Sequence, residues 1–148
     1  MSINKLNKIQ VGRYAENLMK IEFMRLGLEV YPSEVDDRGI DFVVGYDNSY
    51  YAIQVKSSRN FNYIYFRKDK FQPRANLLAA IVLFNPSEVP SFYLIPSTRW
   101  DSPDGFFVSR DYLDKKSKPE YGLNLSKRNL PFLENYSIDH VFYNLQGE

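Results

Sequence analysis

Two apolar stretches joined by three turn-forming residues place the strongest constraint on how this chain folds. The stretch "IDFVVGY" covers residues 40–46, "DNS" follows it, and "YYAIQVKSS" covers residues 50–58. Runs of β-branched and aromatic residues favour strands, and a short polar connection between two of them favours a hairpin. Alternate side chains of a strand share a face, so Gln54 and Lys56 lie together, opposite Ile53 and Val55. The sequence therefore predicts a hairpin that carries a polar pair on an otherwise apolar strand.

The rest of the chain predicts an α/β arrangement. Residues 8–27 are predicted to be helical because apolar residues recur three or four positions apart, and Gly27 provides a C-terminal stop. The predicted buried face of this helix consists of Ile9, Tyr14, Ala15, Leu18, Ile21 and either Met24 or Leu26. Further strands are predicted in "LEVYP", "FNYIYFRK", residues 80–84 and "SFYLIPS". Residues 101–119 are predicted to be mainly loops with a short helix near residues 110–115, and "NLPFLENY" a closing helix. No repeat or long linker divides residues 1–148, so we expect one α/β domain.

Composition excludes several classes of function. The chain has no cysteine, which excludes disulfides and cysteine metal cages. Its single histidine, His140, argues against multi-histidine metal sites and histidine general bases. No apolar run reaches the roughly 18 residues of a membrane helix, and the N-terminus does not resemble a signal peptide, so we expect a cytoplasmic protein with no membrane partner. Because the formal net charge is only +1, any basic surface for nucleic acid must be local.

A carboxylate, an amide and an amine are expected to meet at the hairpin. Asp41 lies at the start of the first strand, where the correct register would bring it close to Gln54 and Lys56. Carboxylate and amide oxygens suit Mg²⁺ or Mn²⁺, and a lysine beside them can hold the attacking water or stabilise transition-state charge. This combination suits metal-assisted hydrolysis of phosphodiester bonds. Glu16, on the predicted helix, could reach the same metal, although helical spacing alone favours an ordinary exposed glutamate.

The order of these motifs resembles the PD-(D/E)XK nuclease superfamily. The resemblance lies in "GRYAE" on the first helix, "RGIDFVV" on one strand and "YYAIQVKSS" on the next. It implies a restriction-endonuclease-like αβββαβ core, with a mixed central sheet flanked by helices, and Mg²⁺-dependent cleavage of DNA. In this resemblance Asp41 matches the motif aspartate, Gln54 the second acidic position and Lys56 the lysine. Glu16 matches the helix glutamate of resolvase-like members.

Two positions depart from the usual motif of that superfamily. Ile40 stands where proline is common, which is a frequent variation. Gln54 stands where Glu or Asp is usual, and this removes one negative charge from the implied metal site. The resemblance implies metal ligation by Asp41, Gln54 and the backbone carbonyl of Val55, with Lys56 positioning the nucleophilic water and Glu16 supporting the site. The amide leaves two alternatives open, a weaker metal site or a non-catalytic DNA-binding module on the same fold.

Double-stranded DNA is the expected partner, and several basic or hydroxyl side chains are candidates to contact it. They are Arg38, Ser57, Arg59, Lys116, Lys127 and Arg128. Each has a structural alternative, such as a surface salt bridge or a solvated loop. The segment "FNYIYFRKDKF" mixes aromatic and basic residues, as nucleic-acid grooves do, but a buried strand would give the same pattern.

The expected substrate depends on features outside the motif. Cutting both strands of a duplex with one site per chain requires an even assembly, so we expect a homodimer or homotetramer. Basic loops after Pro96 favour a sequence-specific enzyme of the homing or restriction type. A structure-specific, Holliday junction resolvase-like nuclease is the alternative. A plain α/β domain without nuclease ancestry is a third hypothesis.

Overall fold

The computed structural model describes residues 3–33, 39–85, 89–113 and 115–141. This part of the chain contains one long helix, α1, which spans Lys8–Arg25. Its strands are β1 Glu29–Pro32, β2 Phe42–Tyr46, β3 Ser49–Ser58, β4 Ile64–Arg67, β5 Leu77–Leu83, β6 Ser91–Pro96, β7 Phe107–Arg110 and β8 Glu120–Leu123. Shorter 3₁₀ helices span Ile3–Lys5, Ser97–Asp101 and Leu130–Tyr136. None of the helices in the described ranges is long and apolar enough to cross a membrane.

A mixed five-stranded sheet forms the centre of the fold. Its strand order is β1-β2-β3-β5-β6, with β3 and β5 parallel and every other neighbouring pair antiparallel. All seven residues of β5 are buried, as expected of a strand covered on both faces. The expected α/β class with a mixed central sheet is therefore confirmed.

The two faces of the central sheet are covered by different layers. Helix α1 covers one face through Val11, Ala15, Met19 and Phe23, which recur every four residues and pack on the face of Ile53. A second sheet of three strands, in the order β4-β8-β7, covers the other face. Its core includes Phe66, Phe71, Trp100, Phe107 and Leu123, all nearly inaccessible to solvent. Strand β3 therefore lies between two separate apolar cores.

Most of the residues that were predicted to form the buried face of α1 are exposed instead. Ile9, Ile21 and Met24 are 71%, 58% and 57% exposed, and Tyr14 is 40% exposed. Ala15 is buried as expected, and Leu18 and Leu26 are partly buried against the core between helix and sheet. The physical reason is that apolar residues lie on more than one side of this helix, so their spacing alone does not select a face. The observed face places Glu16 next to buried Ala15, at the edge of the helix–sheet contact.

Residues 59–76, all of which the structure describes, carry β4 instead of the second helix expected in an αβββαβ core. The alternating pattern of β4 buries Ile64 and Phe66 and exposes Tyr65, which suits a sheet with one covered face. The region 101–119, predicted to be mainly loops, contributes β7 to the same small sheet. The predicted closing helix is a 3₁₀ helix, Leu130–Tyr136.

The predicted hairpin is confirmed as the pair β2–β3. Its connection has positive φ at two consecutive residues, Asp47 at 48° and Asn48 at 64°. This is the backbone of the two-residue turns whose twist matches that of antiparallel strands, and Asn and Asp tolerate it best among residues with a Cβ. The turn fixes a register in which Phe42 faces Ile53.

Candidate active site

Asp41 is attached to β3 by its backbone and by its side chain. Its N–H donates to the carbonyl of Ile53 at 2.9 Å, and its Oδ2 accepts from the N–H of Val55 at 2.7 Å. The carboxylate thus continues the hydrogen-bonding pattern of β2 beyond the end of that strand. As a result Asp41 is held beside Gln54 and Lys56 by the register of the hairpin.

Gln54 is buried, with 7% of its surface exposed, and its Oε1 accepts no hydrogen bond from any described residue. Leaving a buried acceptor unsatisfied costs roughly 1–3 kcal/mol, so such an atom requires an explanation. The oxygen lies under Gly39, where a Cβ would approach it to 3.4 Å. An acceptor without a donor, held beside a carboxylate, is the arrangement that a cation would satisfy.

Lys56 lies on the same face of β3 and is partly buried. Its ammonium group is 5.8 Å from the centre of the Phe66 ring, which belongs to the small sheet. Burial lowers the pKa of this lysine, the Asp41 carboxylate opposes that shift, and Lys8 adds to it. The amine is therefore more easily deprotonated than a solvated lysine.

The pKa of Asp41 is shifted upward. Burial is the main cause, and the nearby Glu16 carboxylate raises the pKa further, while the Val55 N–H, Lys56 and Lys20 lower it. A positive ion at this place would reverse both causes of the rise, because it would compensate for lost solvation and for the repulsion between the carboxylates.

Glu16 approaches from the helix side of the sheet. It forms a salt bridge with Lys20 at 3.5 Å, and about 31% of its side chain is exposed. Gln54 and Lys56 face the small sheet, so Asp41, at the end of β2, lies between them and Glu16. The structure brings Glu16 close enough to act on Asp41 electrostatically, with Lys20 as its bonded partner.

The residues present fit a divalent cation with few protein ligands. Asp41, Gln54 and Glu16 offer oxygen atoms, which Mg²⁺ prefers, and Mg²⁺ usually retains several waters. No group of three or more His, Cys, Asp or Glu side chains able to hold a metal occurs within the described ranges. Gln54 would supply the oxygen that a third acidic residue would otherwise provide, and its unsatisfied Oε1 is the observation that favours this fit.

An open groove of about 530 Å³ begins at Lys56 and runs between α1 and the segment that follows β3. Ser57 and Arg59, two of the predicted DNA contacts, line it. Arg59 also donates to the carbonyl of Leu6 at 2.9 Å, which ties the N-terminal segment to β3. Lys8 of α1 also lines the groove; the sequence marks it as one of several basic residues near the N-terminus, but it was not among the predicted DNA contacts.

The other predicted DNA contacts are not brought to this groove. Lys116, Lys127 and Arg128 are exposed in loops before and after β8, and none of these described residues lines the groove. Arg38 lies outside the described residues.

Gly39 allows the chain to pass close to the site, and replacing it should be costly. Its φ is +75°, and a Cβ would stand 2.8 Å from the carbonyl oxygen of Lys70. We expect Gly39→Ala to lower the free energy of unfolding by about 2–3 kcal/mol, from backbone strain and steric overlap. Gly27→Ala is the matched control, because Gly27 has φ +87° but nothing within 4 Å of its Cβ position. Equal losses for both variants in urea denaturation would contradict the close contact.

Comparison with known proteins identifies a similar solved structure. No protein-family model matches the chain, and no curated protein matches it. The Holliday junction resolvase Hjc of the archaeal hyperthermophile Archaeoglobus fulgidus matches with a TM-score of 0.56 and 15% sequence identity. The match covers 88% of this chain and 93% of that one. The chain has the restriction-endonuclease-like fold. At this identity the similarity establishes the fold alone.

Proposed function

We propose that this protein is a Mg²⁺-dependent DNA endonuclease of the PD-(D/E)XK superfamily, which hydrolyses phosphodiester bonds. The observation that carries the proposal is the buried, unsatisfied Oε1 of Gln54 beside Asp41, whose carboxylate is fixed by the Val55 N–H. Lys56, with its lowered pKa, adds an amine on the same face of β3. The fold shared with a solved Holliday junction resolvase agrees with this assignment.

Each side chain has a distinct role in the proposed reaction. Asp41 and Gln54, with the carbonyl of Val55, hold the cation, which when bound polarises the phosphate and lowers the pKa of a water. Mn²⁺ suits the same oxygen ligands. Lys56 orients the attacking water and stabilises the negative charge that develops on the phosphate. Glu16 supports the site from the helix side, where its charge favours retention of the cation.

Two classes of DNA substrate are consistent with this site. A sequence-specific enzyme of the homing or restriction type would read duplex DNA through its exposed basic loops, which carry Lys116, Lys127 and Arg128. A structure-specific enzyme would recognise a branch, and the match that covers 93% of a Holliday junction resolvase favours this second candidate. Either enzyme needs two sites to cut both strands, so we propose a homodimer or a homotetramer.

Cleavage assays separate these proposals. Supercoiled plasmid, a four-way junction and its linear duplex arms are incubated with the wild-type protein, with Mg²⁺ or with a chelator. We expect cleavage in the presence of Mg²⁺ and none in the presence of the chelator. Preferential cleavage of the four-way junction would identify the structure-specific class. Absence of cleavage on all three DNAs with Mg²⁺ and with Mn²⁺, together with DNA binding, would instead support the non-catalytic module.

Gln54→Glu tests the role of the amide directly. The added charge should bind the cation more tightly, so half-maximal cleavage should need about tenfold less Mg²⁺. Without metal the same variant should be less stable than wild type, because a third carboxylate is buried near Asp41 and Glu16. Mg²⁺ titrations of cleavage and thermal unfolding with a chelator measure the two effects. An unchanged Mg²⁺ requirement in both Gln54→Glu and Gln54→Ala would show that Gln54 is not a ligand.

A further inference from the structure

The groove beside Lys56 has the charge and polarity of a site for a phosphate backbone. Its basic side chains are Lys8, Lys56 and Arg59, and none of the described residues that line it is acidic. Asn60 and Asn62, with Ser57 and Ser58, add neutral polar groups. A groove of this kind follows a nucleic-acid strand through charge and hydrogen bonds, without selecting a sequence.

Two tyrosines form a parallel stack on the wall of the same groove. The ring centres of Tyr63 and Tyr65 are 6.4 Å apart and their planes differ by 16°. Both residues line the groove, and the side chain of Tyr65 remains 50% exposed. Tyr65 therefore offers aromatic surface to a ligand in the groove.

Tyr63 is fixed in place by its surroundings. Its hydroxyl donates to Glu120, and the guanidinium of Arg110 lies 4.6 Å from its ring centre. Gly122 of β8 leaves the space that the ring occupies, since a Cβ there would overlap it. Burial and the bond to Glu120 raise the pKa of the Tyr63 hydroxyl, so it remains a donor throughout the physiological range. Tyr63 is therefore a fixed aromatic neighbour of Tyr65 on the wall of the groove.

We propose that the groove holds a single, unpaired DNA strand next to Lys56, and that Tyr65 stacks on one of its bases. This inference rests on the proposed nuclease function and specifies its substrate as DNA with an unpaired or opened segment beside the cut. A base inside a duplex has both faces covered by its neighbours, whereas an unpaired base has a face free for a tyrosine ring. The basic groove provides the complementary contacts to the phosphates of the same strand.

The test is binding of a short single-stranded oligonucleotide in a chelating buffer, so that no cleavage occurs. A fluorescent adenine analogue in the oligonucleotide reports stacking through quenching, and anisotropy reports affinity. Tyr65→Ala removes the ring on which one base stacks. This variant should bind the oligonucleotide about tenfold more weakly and should not quench the analogue. Tyr65→Phe retains the ring and should bind like wild type. Tyr50→Ala is the matched control, because Tyr50 is 58% exposed on β3 and does not line the groove.

The outcomes distinguish this inference from the proposed function. Wild-type affinity in Tyr65→Ala, or equal losses in Tyr65→Ala and Tyr50→Ala, would overturn the inference even if the wild-type protein cuts DNA with Mg²⁺. Failure of the wild-type protein to bind the single-stranded oligonucleotide would also overturn the inference. Binding that depends on Tyr65, without cleavage of any DNA, would support the stacking site and reject the nuclease. Circular dichroism of each variant verifies that the small sheet is retained.

Discussion

Asp41→Asn is expected to reduce cleavage by at least about 100-fold while the protein stays folded. In the wild type, Asp41 Oδ2 accepts a hydrogen bond from the Val55 N–H at 2.7 Å. The side-chain oxygen of asparagine can accept the same bond, so the local geometry should persist. The variant lacks the negative charge that binds the cation in the proposed mechanism, so it separates the effect of charge from the effect of side-chain shape. Single-turnover cleavage with saturating Mg²⁺ measures the effect. Asp101→Asn, at an exposed position after β6, is the control.

The pKa of Asp41 also predicts how stability depends on pH. Its pKa is higher in the folded protein than in the unfolded chain, because burial and Glu16 disfavour the charged form. At pH values between the pKa of Asp41 in the unfolded chain and its pKa in the folded protein, the folded state binds more protons than the unfolded state. The free energy of unfolding therefore decreases as pH rises through that window. Asp41→Asn does not titrate, and we expect its stability relative to wild type to increase over the same window. Urea denaturation in metal-free buffer at a series of pH values measures the difference. Wild-type cleavage rates in the Asp41→Asn variant, or a parallel pH dependence of the two proteins, would contradict this account.

Lys56→Met is expected to lower the cleavage rate by about 100- to 1,000-fold, since it removes the positive charge that lies beside the reacting phosphate in the proposed mechanism. Methionine retains most of the apolar chain that packs near Phe66. The loss should appear in kcat, because this charge stabilises the transition state more than the bound substrate. Lys118→Met, at an exposed loop position, is the control for loss of a lysine.

The same substitution should make the protein more stable near neutral pH. Burial lowers the pKa of Lys56 in the folded state. At every pH below that lowered value the charged, poorly solvated amine therefore reduces the free energy of unfolding. Wild-type stability therefore rises with pH between the folded pKa and the normal value of a lysine, where the unfolded chain binds more protons. Methionine avoids this cost. A variant that loses activity and also unfolds more easily at neutral pH would indicate that Lys56 is mainly structural.

The hairpin and its polar residues could be predicted because their information is local. Alternation along β3 gave the faces of Gln54 and Lys56, and the short connection gave the pairing that places Asp41 beside them. The helix is present as predicted, but a different face of it is buried. Ile9 and Ile21 are as apolar as the residues that pack against the sheet, so their sequence could not show that they are exposed. Period and propensity locate a helix, whereas the choice of its buried side depends on which surface the sheet offers.

The cover over Gln54 could not be predicted because it depends on distant pairing. Strand β4 pairs with β8, so that Ile64 faces Leu123 across almost half of the chain. Strand β4 lies in a segment that was predicted to be a strand, but its partner β8 contains both Gly122 and Glu120, which are poor strand formers, and it was not predicted. The burial of Gln54, whose Oε1 lies under Gly39, is likewise a property of the tertiary structure and not of the local sequence.

The positive φ angles at Asp47 and Asn48 have a consequence for mutation far from the chemistry. Asp41 is six residues before Asp47, which corresponds to roughly 20 Å of extended chain at the usual rise of a strand. An extra residue in this surface turn would slide β2 against β3 by one position and direct every side chain of one strand to the opposite layer. The carboxylate would then lose the Val55 N–H. Insertions in this turn, remote from any substrate, are therefore expected to be as damaging to the site as substitutions within it.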